Sequence, residues 1–291
     1  MYELDVQKLE SFYEPGSTVA YYLPYGDQFI HLNPFIGQAV KIRYKGSITC
    51  IHCGRKTKKS FNQGYCFPCA RSLPQTDLCI VRPQTCSYFD GGCRDPEWGE
   101  KHCMIRHTVY LANSSGIKVG ITRHENRFNR WVDQGAIAAI PIATVNKRID
   151  AGKVEVALAT TLADKTNWRK MLSKDVKEID LHTAKSAALD LIPADISHEI
   201  SEEPVYRFKY PVREFPEKIK SYNLDKTPEV EDILLGIKGQ YLIFKNAVIN
   251  FRKFSGYAIE FSSPDQRVVP ISSKPSSVGS SSAASSISSA D

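Results

Sequence analysis

The chain has 291 residues, is 42% hydrophobic and 24% charged, and carries a formal net charge of +6. That length predicts one to three domains with enough apolar sequence for a sizeable core, and the mild basicity permits a polyanionic partner without demanding one. The first ten residues are mixed and include acids, unlike a secretory leader, and the longest apolar run, 136–145, is too short to span a bilayer. The expectation is a cytoplasmic protein that engages no membrane.

Residues 18–49 read as strands. Val19, Tyr21 and Leu23 alternate, a second run holds Phe29 and His31, and a third is Ala39–Tyr44, with turns at 24–27 and at Lys45-Gly46. From 50 to 103 the chain is rich in Gly, Pro and aromatics and has little periodicity. From Thr108 the texture becomes α/β. Val109–Ala112 and Ile117–Thr122 flank the turn Asn113-Ser114-Ser115-Gly116 as a hairpin. A helical turn or two at 127–134, a strand at 136–145 and a helix at 152–162 follow, and the helix restarts near Asn167. Asp164 or Thr166 is the expected cap of that restart, and Trp168 its packing residue. Strands return at 205–208, 233–244, 248–251 and 257–261. The Ser-rich tail lacks the apolar content to order itself.

All eight cysteines lie between Cys50 and Cys103. Four of them stand as Cys50-x2-Cys53-x12-Cys66-x2-Cys69. Each CxxC forms a tight knuckle that aims two thiolates at one ion, so the pattern predicts a tetrahedral zinc site. Cys79, Cys86, Cys93 and Cys103 are spaced more loosely, and either close a second all-cysteine site or remain buried thiols. A zinc ion held by four protein thiolates keeps no open position for water, so one or two such ions would be structural. Around the first knuckle stand Lys41, Arg43, Lys45, Arg55, Lys56, Lys58 and Lys59, with Phe61, Tyr65 and Phe67 among them. Cations interleaved with aromatics fit a nucleic-acid surface; the plain alternative is a solvated positive face.

The hairpin strands Val109-Tyr110-Leu111 and Lys118-Val119-Gly120-Ile121-Thr122, the segment Arg127-Phe128-Asn129-Arg130-Trp131, and Glu155-Val156-Ala157-Leu158 resemble the core of GIY-YIG nucleases over residues 107–172. The resemblance implies Tyr110 beside a nucleophilic water, Arg130 or Arg127 on the scissile phosphate, and Glu155 holding Mg²⁺ or Mn²⁺. Lys118 stands where that family has tyrosine, as a further cation for a phosphate, and Arg123 and Asn167 lie where nucleic-acid contacts would fall. The first motif reads Thr108-Val109-Tyr110 instead of Gly-Ile-Tyr. Over residues 1–262 the chain is also similar to a bacterial family catalogued as domain of unknown function 2797. The segments that carry this include Gly64-Tyr65-Cys66-Phe67-Pro68-Cys69, Arg130-Trp131-Val132-Asp133-Gln134-Gly135 and Gly236-Ile237-Lys238-Gly239-Gln240-Tyr241. That resemblance implies no activity.

The predicted fold is α+β. A β unit (1–49) leads into a cysteine-rich zinc module (50–106), a GIY-YIG-like α/β core (107–172), a helical connection (173–203), a second β unit (204–266) and a disordered tail (267–291). The expected function is nucleic-acid binding, to DNA or RNA, with metal-dependent phosphodiester cleavage at Tyr110, Arg130 and Glu155. The alternatives are a non-catalytic nucleic-acid-binding zinc protein and a protein-interaction scaffold.

Overall fold

Val40 and Ile42 alternate with Lys41 and Arg43, so one face of the Ala39–Thr49 strand is apolar and the other charged. In the structure, a computed structural model that describes residues 2–162, 166–174, 176–263 and 270–272, this strand is central to the largest sheet. The sheet runs Tyr2–Asp5, Tyr257–Ser262, Ala39–Thr49, Glu229–Lys238, Tyr241–Phe244, Val248–Asn250, all antiparallel, and Lys56–Thr57 folds back on the far end of the long strand. A small sheet holds Glu10–Phe12, Ala20–Tyr25, Gln28–His31 and Pro270–Ile271.

Several sequence expectations change here. The two terminal regions, read as separate β units, share the large sheet, because Val40 and Ile42 need apolar cover that Val230, Leu234, Ile259 and Phe261 supply. The turn at Lys45-Gly46 does not form. The strand continues to Thr49, and a register shift against Tyr257–Ser262 absorbs the left-handed Gly46 (φ +79°). Tyr2–Asp5 and Glu10–Phe12 are strands that local pattern did not announce. The tail beyond 272 lies outside the described residues.

The second sheet carries the α/β segment. His107–Asn113 is central, with Ile117–Arg123 on one side and Ala138–Val145 on the other; Glu199–Ile200 and Tyr206–Arg207 extend the latter edge. The strands face two ways, as period-2 alternation requires. Val109, Leu111, Val119 and Ile121 meet the helices Arg148–Leu158 and Leu181–Leu189 through Ala151, Val154, Leu158 and Leu181. Tyr110 and Ala112 turn the other way, into the core of the large sheet, where the Arg127–Asp133 helix inserts Trp131. Trp131 is fully buried, within 5.4–6.2 Å (ring centroids) of Phe128, Tyr110, Tyr206 and Phe208. The helix predicted at 152–162 starts earlier, at Arg148, and Gly152 lets it approach Pro83 of the cysteine region, since a Cβ there would lie 2.5 Å from the proline ring. Of the caps expected near 164–166, Asp164 lies outside the described residues; Asn167 itself caps Trp168–Met171 by accepting from the Lys170 amide at 3.2 Å, and Trp168 stacks on Tyr241 at 5.7 Å.

Candidate metal centre and nucleic-acid interface

The long strand delivers Cys50 directly. The chain then turns at the left-handed Gly54 (φ +69°), the Cys50 amide donating to Arg55 O at 2.9 Å and the Gly54 amide to Cys50 O at 3.0 Å. This places Cys53 beneath Cys50. The second knuckle is a helix start: Cys66 is the N-cap of Phe67–Ser72 and Pro68 lies in the first turn, where its missing N–H costs nothing. The two knuckles bring the sulfurs of Cys50, Cys53, Cys66 and Cys69 within 4.8 Å of one another, with Cys53 Sγ and Cys66 Sγ 3.7 Å apart. Four ligands at a zinc–sulfur distance of about 2.3 Å in a tetrahedron put the sulfurs roughly 3.8 Å apart, so the donor set fits zinc.

The thiols' electrostatics agree. Burial opposes ionisation of Cys50, but the amides of Cys53, Cys66 and His52 overcome it and hold its thiol down at about 6. Burial and the sulfurs of Cys66, Cys53 and Cys50 push Cys69 up to about 12. Without a cation the thiols compete for ionisation; a divalent ion removes that conflict. Cys50 and Cys66 are buried while Cys53 is exposed, so the centre sits at the surface end of the sheet.

Cys79, Cys86, Cys93 and Cys103 come from a run of 3₁₀ turns and the Pro96–His102 helix, and all four line one small cavity with Tyr88, Trp98 and Met104. Burial raises Cys79 to about 11, with the charges of Asp77, Cys86, Cys103 and Cys93 adding to it. Among the described residues, only the first quartet has its sulfurs at mutual ligand spacing. The Cys93 thiol instead reaches Asp95 O at 3.4 Å.

The basic residues divide into two groups. Lys41 pairs with Glu229 at 2.7 Å and Glu231 at 3.4 Å across the sheet, and Arg43 and Lys45 both pair with Glu260. Those cations are neutralised by the register of three strands. Arg55, Lys56, Lys58 and Lys59 are exposed, and none makes an ion pair with a described residue. Lys59 lies 5.4 Å from the Phe61 ring centroid and Arg71 5.7 Å from that of Phe67, whose side chain is 52% exposed. The zinc knuckle therefore presents unpaired cations and accessible rings together.

The residues singled out in the α/β segment are only partly assembled. Tyr110 is fully buried, and its hydroxyl donates to Gln134 Oε1 at 3.1 Å. Its ring covers Gly120, where a Cβ would lie 2.6 Å from the hydroxyl. Burial raises the Tyr110 pKa, Arg130 beside it opposes the rise, and the Glu155 charge adds to it. The Tyr110 ring and the Arg148–Leu158 helix that carries Glu155 pack on opposite faces of the second sheet. Lys118 is buried on the same face as Tyr110, two positions along from Gly120. Arg127 is committed elsewhere: it stacks on Phe128 at 4.8 Å, donates to His124 O at 2.9 Å and pairs with Glu203 at 3.3 Å. Arg123 is exposed at the strand end, and the Asn167 side-chain oxygen is occupied as a cap.

Sequence reading did not single out Arg252, Lys8 or the pair Asn62-Gln63. Asn62 and Gln63 have positive φ (+44° and +63°) and turn the chain between Phe61 and Tyr65, which form an antiparallel bridge. The local signal, Asn-x-Gly between aromatics, marks this turn.

The fold and donor set define a class: an α+β protein whose main sheet ends in a closed four-thiolate site that can hold zinc as a structural ion. Among the described residues no helix is long and apolar enough to cross a membrane. The chain belongs to the family described as protein of unknown function (DUF2797), whose model matches residues 37–259. No curated protein and no solved structure matches it.

Proposed function

We propose that this protein binds nucleic acid through the zinc-braced knuckle. The observation that carries the reading is the division of its basic residues: Lys41, Arg43 and Lys45 are balanced by acids, whereas Arg55, Lys56, Lys58 and Lys59 are exposed without an ion pair among the described residues, Lys59 lies over the Phe61 ring, and the Phe67 ring is exposed. Unpaired cations release counterions when they meet phosphates, and exposed rings offer faces on which bases stack. Zinc at Cys50, Cys53, Cys66 and Cys69 holds this surface in shape. The second cysteine set is proposed to close on a further zinc ion after small side-chain rotations about its shared cavity. Gel-shift or anisotropy titrations of zinc-loaded protein against single-stranded and duplex DNA and RNA test the reading. A Lys56, Lys58, Lys59 to Ala variant weakens all sequences alike; absence of binding at low salt leaves the scaffold reading in its place.

A second reading is metal-dependent phosphodiester cleavage of GIY-YIG type. It is favoured by the order hairpin, Arg130-bearing helix, strand, Glu155-bearing helix, and by the charges of Arg130 and Glu155, both of which bear on Tyr110. Glu155 would hold Mg²⁺ or Mn²⁺, which supplies charge stabilisation at the phosphate. Arg130 would orient the phosphate. The complete burial of Tyr110 places this reading second, because water and substrate must reach the hydroxyl. Glu155→Gln is expected to abolish divalent-dependent cleavage while leaving binding intact; wild-type cleavage by that variant, or no cleavage by wild type with either ion, removes the reading.

A further inference from the structure

A cavity of about 650 Å³ opens between the first zinc knuckle, the segment 5–8 and the Phe251–Phe254 turn. Its volume falls within the range of small-ligand sites. Lys8, Asn62, Gln63, Tyr65, Gln75 and Arg252 line it.

Arg252 is half-buried, and its guanidinium makes no hydrogen bond or ion pair with a described residue. The buried carboxylate whose charge bears on it, Asp133, is already taken: Lys8 Nζ lies 2.7 Å from one oxygen and Gln240 Nε2 donates to the other at 2.9 Å. Asp5, the other acid of the lining, is exposed to solvent, so Lys8 and Arg252 bring two positive charges to a single interior acid. A cation partly withdrawn from water without a counter-charge is unfavourable, and an anion entering the cavity would relieve that.

The opposite wall supplies a different chemistry. Asn62 and Gln63 hold the left-handed conformation, which glycine would adopt without the crowding that a side chain meets there. Their amides, with Gln75, give the cavity paired donors and acceptors like those that read base edges, and Tyr65 adds a ring for stacking.

We infer that this cavity binds one nucleoside phosphate, with Arg252 on the phosphate and the Asn62, Gln63 and Gln75 amides on the base. The phosphate comes either from a free mononucleotide or from one nucleotide of a strand. In the strand case the inference rests on the proposed nucleic-acid binding and places one base beside the knuckle surface.

The test uses the full-length zinc-loaded chain. Calorimetry with the four ribonucleoside 5′-monophosphates and the corresponding nucleosides is run beside anisotropy with single-stranded oligonucleotides. Binding of the monophosphates, weakened about tenfold or more in Arg252→Gln, supports a free-nucleotide site. Arg252-dependent binding of oligonucleotides alone supports a strand site. Asn62→Gly with Gln63→Gly suits the same backbone, so it is expected to keep zinc content and melting temperature while losing preference among bases. The inference is overturned if Arg252→Gln binds every probe as wild type does. It is also overturned if Arg252→Gln only releases zinc, which would make Arg252 a counter-charge to the thiolates. Oligonucleotide binding that Arg252→Gln leaves intact but the Lys56, Lys58, Lys59 variant loses would remove the cavity site and keep the proposed function; no binding of any probe would remove both.

Discussion

His107 begins the central strand of the second sheet and is fully buried. Its Nδ1–H donates to Ile105 O at 2.7 Å, and its Nε2 has no partner among the described residues. Burial draws its pKa down to about 4, the Ile105 bond opposing, and Arg148 and Arg123 assisting. A histidine depressed in the folded state contributes stability that is fully present above its unfolded value, about 6.5, and is lost as pH falls toward the folded value. Between pH 7 and 5 this single group should remove about 2 kcal/mol. His107→Asn keeps a donor for Ile105 and does not titrate. Denaturant unfolding of both proteins across that interval should show curves that diverge toward neutral pH; parallel curves would contradict the assignment. Zinc loss in acid affects both proteins equally, so the difference between them isolates His107.

At the scale of elements, Gln240 ties three separate segments together. It accepts from the Leu9 amide at 2.8 Å and donates to Leu9 O at 3.0 Å and to Asp133 at 2.9 Å, while Gly239 (φ +60°) brings the hairpin turn against the end of the Arg127–Asp133 helix. Gln240→Ala leaves the Leu9 amide and carbonyl and Asp133 short of partners. It should cost on the order of 2–4 kcal/mol, measured by chemical denaturation, whereas Gln38→Ala, at an exposed bond to Pro34, should cost under about 1 kcal/mol.

The same element shows how much could be read from sequence. Strands are expected over 233–244, and they form at Glu229–Lys238 and Tyr241–Phe244. The contacts to Leu9 and Asp133 were invisible, because they join positions more than 100 residues apart. The hairpin 107–123 was legible because its two strands alternate around a local turn; Tyr2–Asp5 was not, because only its pairing with Tyr257–Ser262 makes it a strand. Likewise the first cysteine quartet declares itself through knuckle spacing. The cavity of Lys8, Asn62 and Arg252 is assembled from three distant regions, and no spacing rule reaches it.

At the scale of the whole molecule, the large sheet joins both ends of the chain, and the zinc knuckle hangs from one end of its longest strand. The core of that sheet rests on Val40, Ile42, Leu234, Ile259 and Phe261, while the Phe67–Ser72 helix buries no residue. The knuckle is therefore expected to depend on a metal at its four cysteines, and the sheet is not. Chelation, or Cys53→Ser, should release zinc and raise amide exchange across residues 50–73 while residues 229–244 stay protected. Loss of protection throughout would show that the metal holds the whole fold.

The central claim is that the knuckle's unpaired cations contact phosphates. It is tested most directly by the salt dependence of affinity for single-stranded nucleic acid, wild type against the Lys56, Lys58, Lys59 to Ala variant. Each phosphate contact on a single strand contributes about 0.7 to the slope of log affinity against log salt. The account predicts a steep slope for wild type and one shallower by about 2 for the variant, with zinc content unchanged. Equal slopes for the two proteins, or no binding by wild type at low salt, would contradict it.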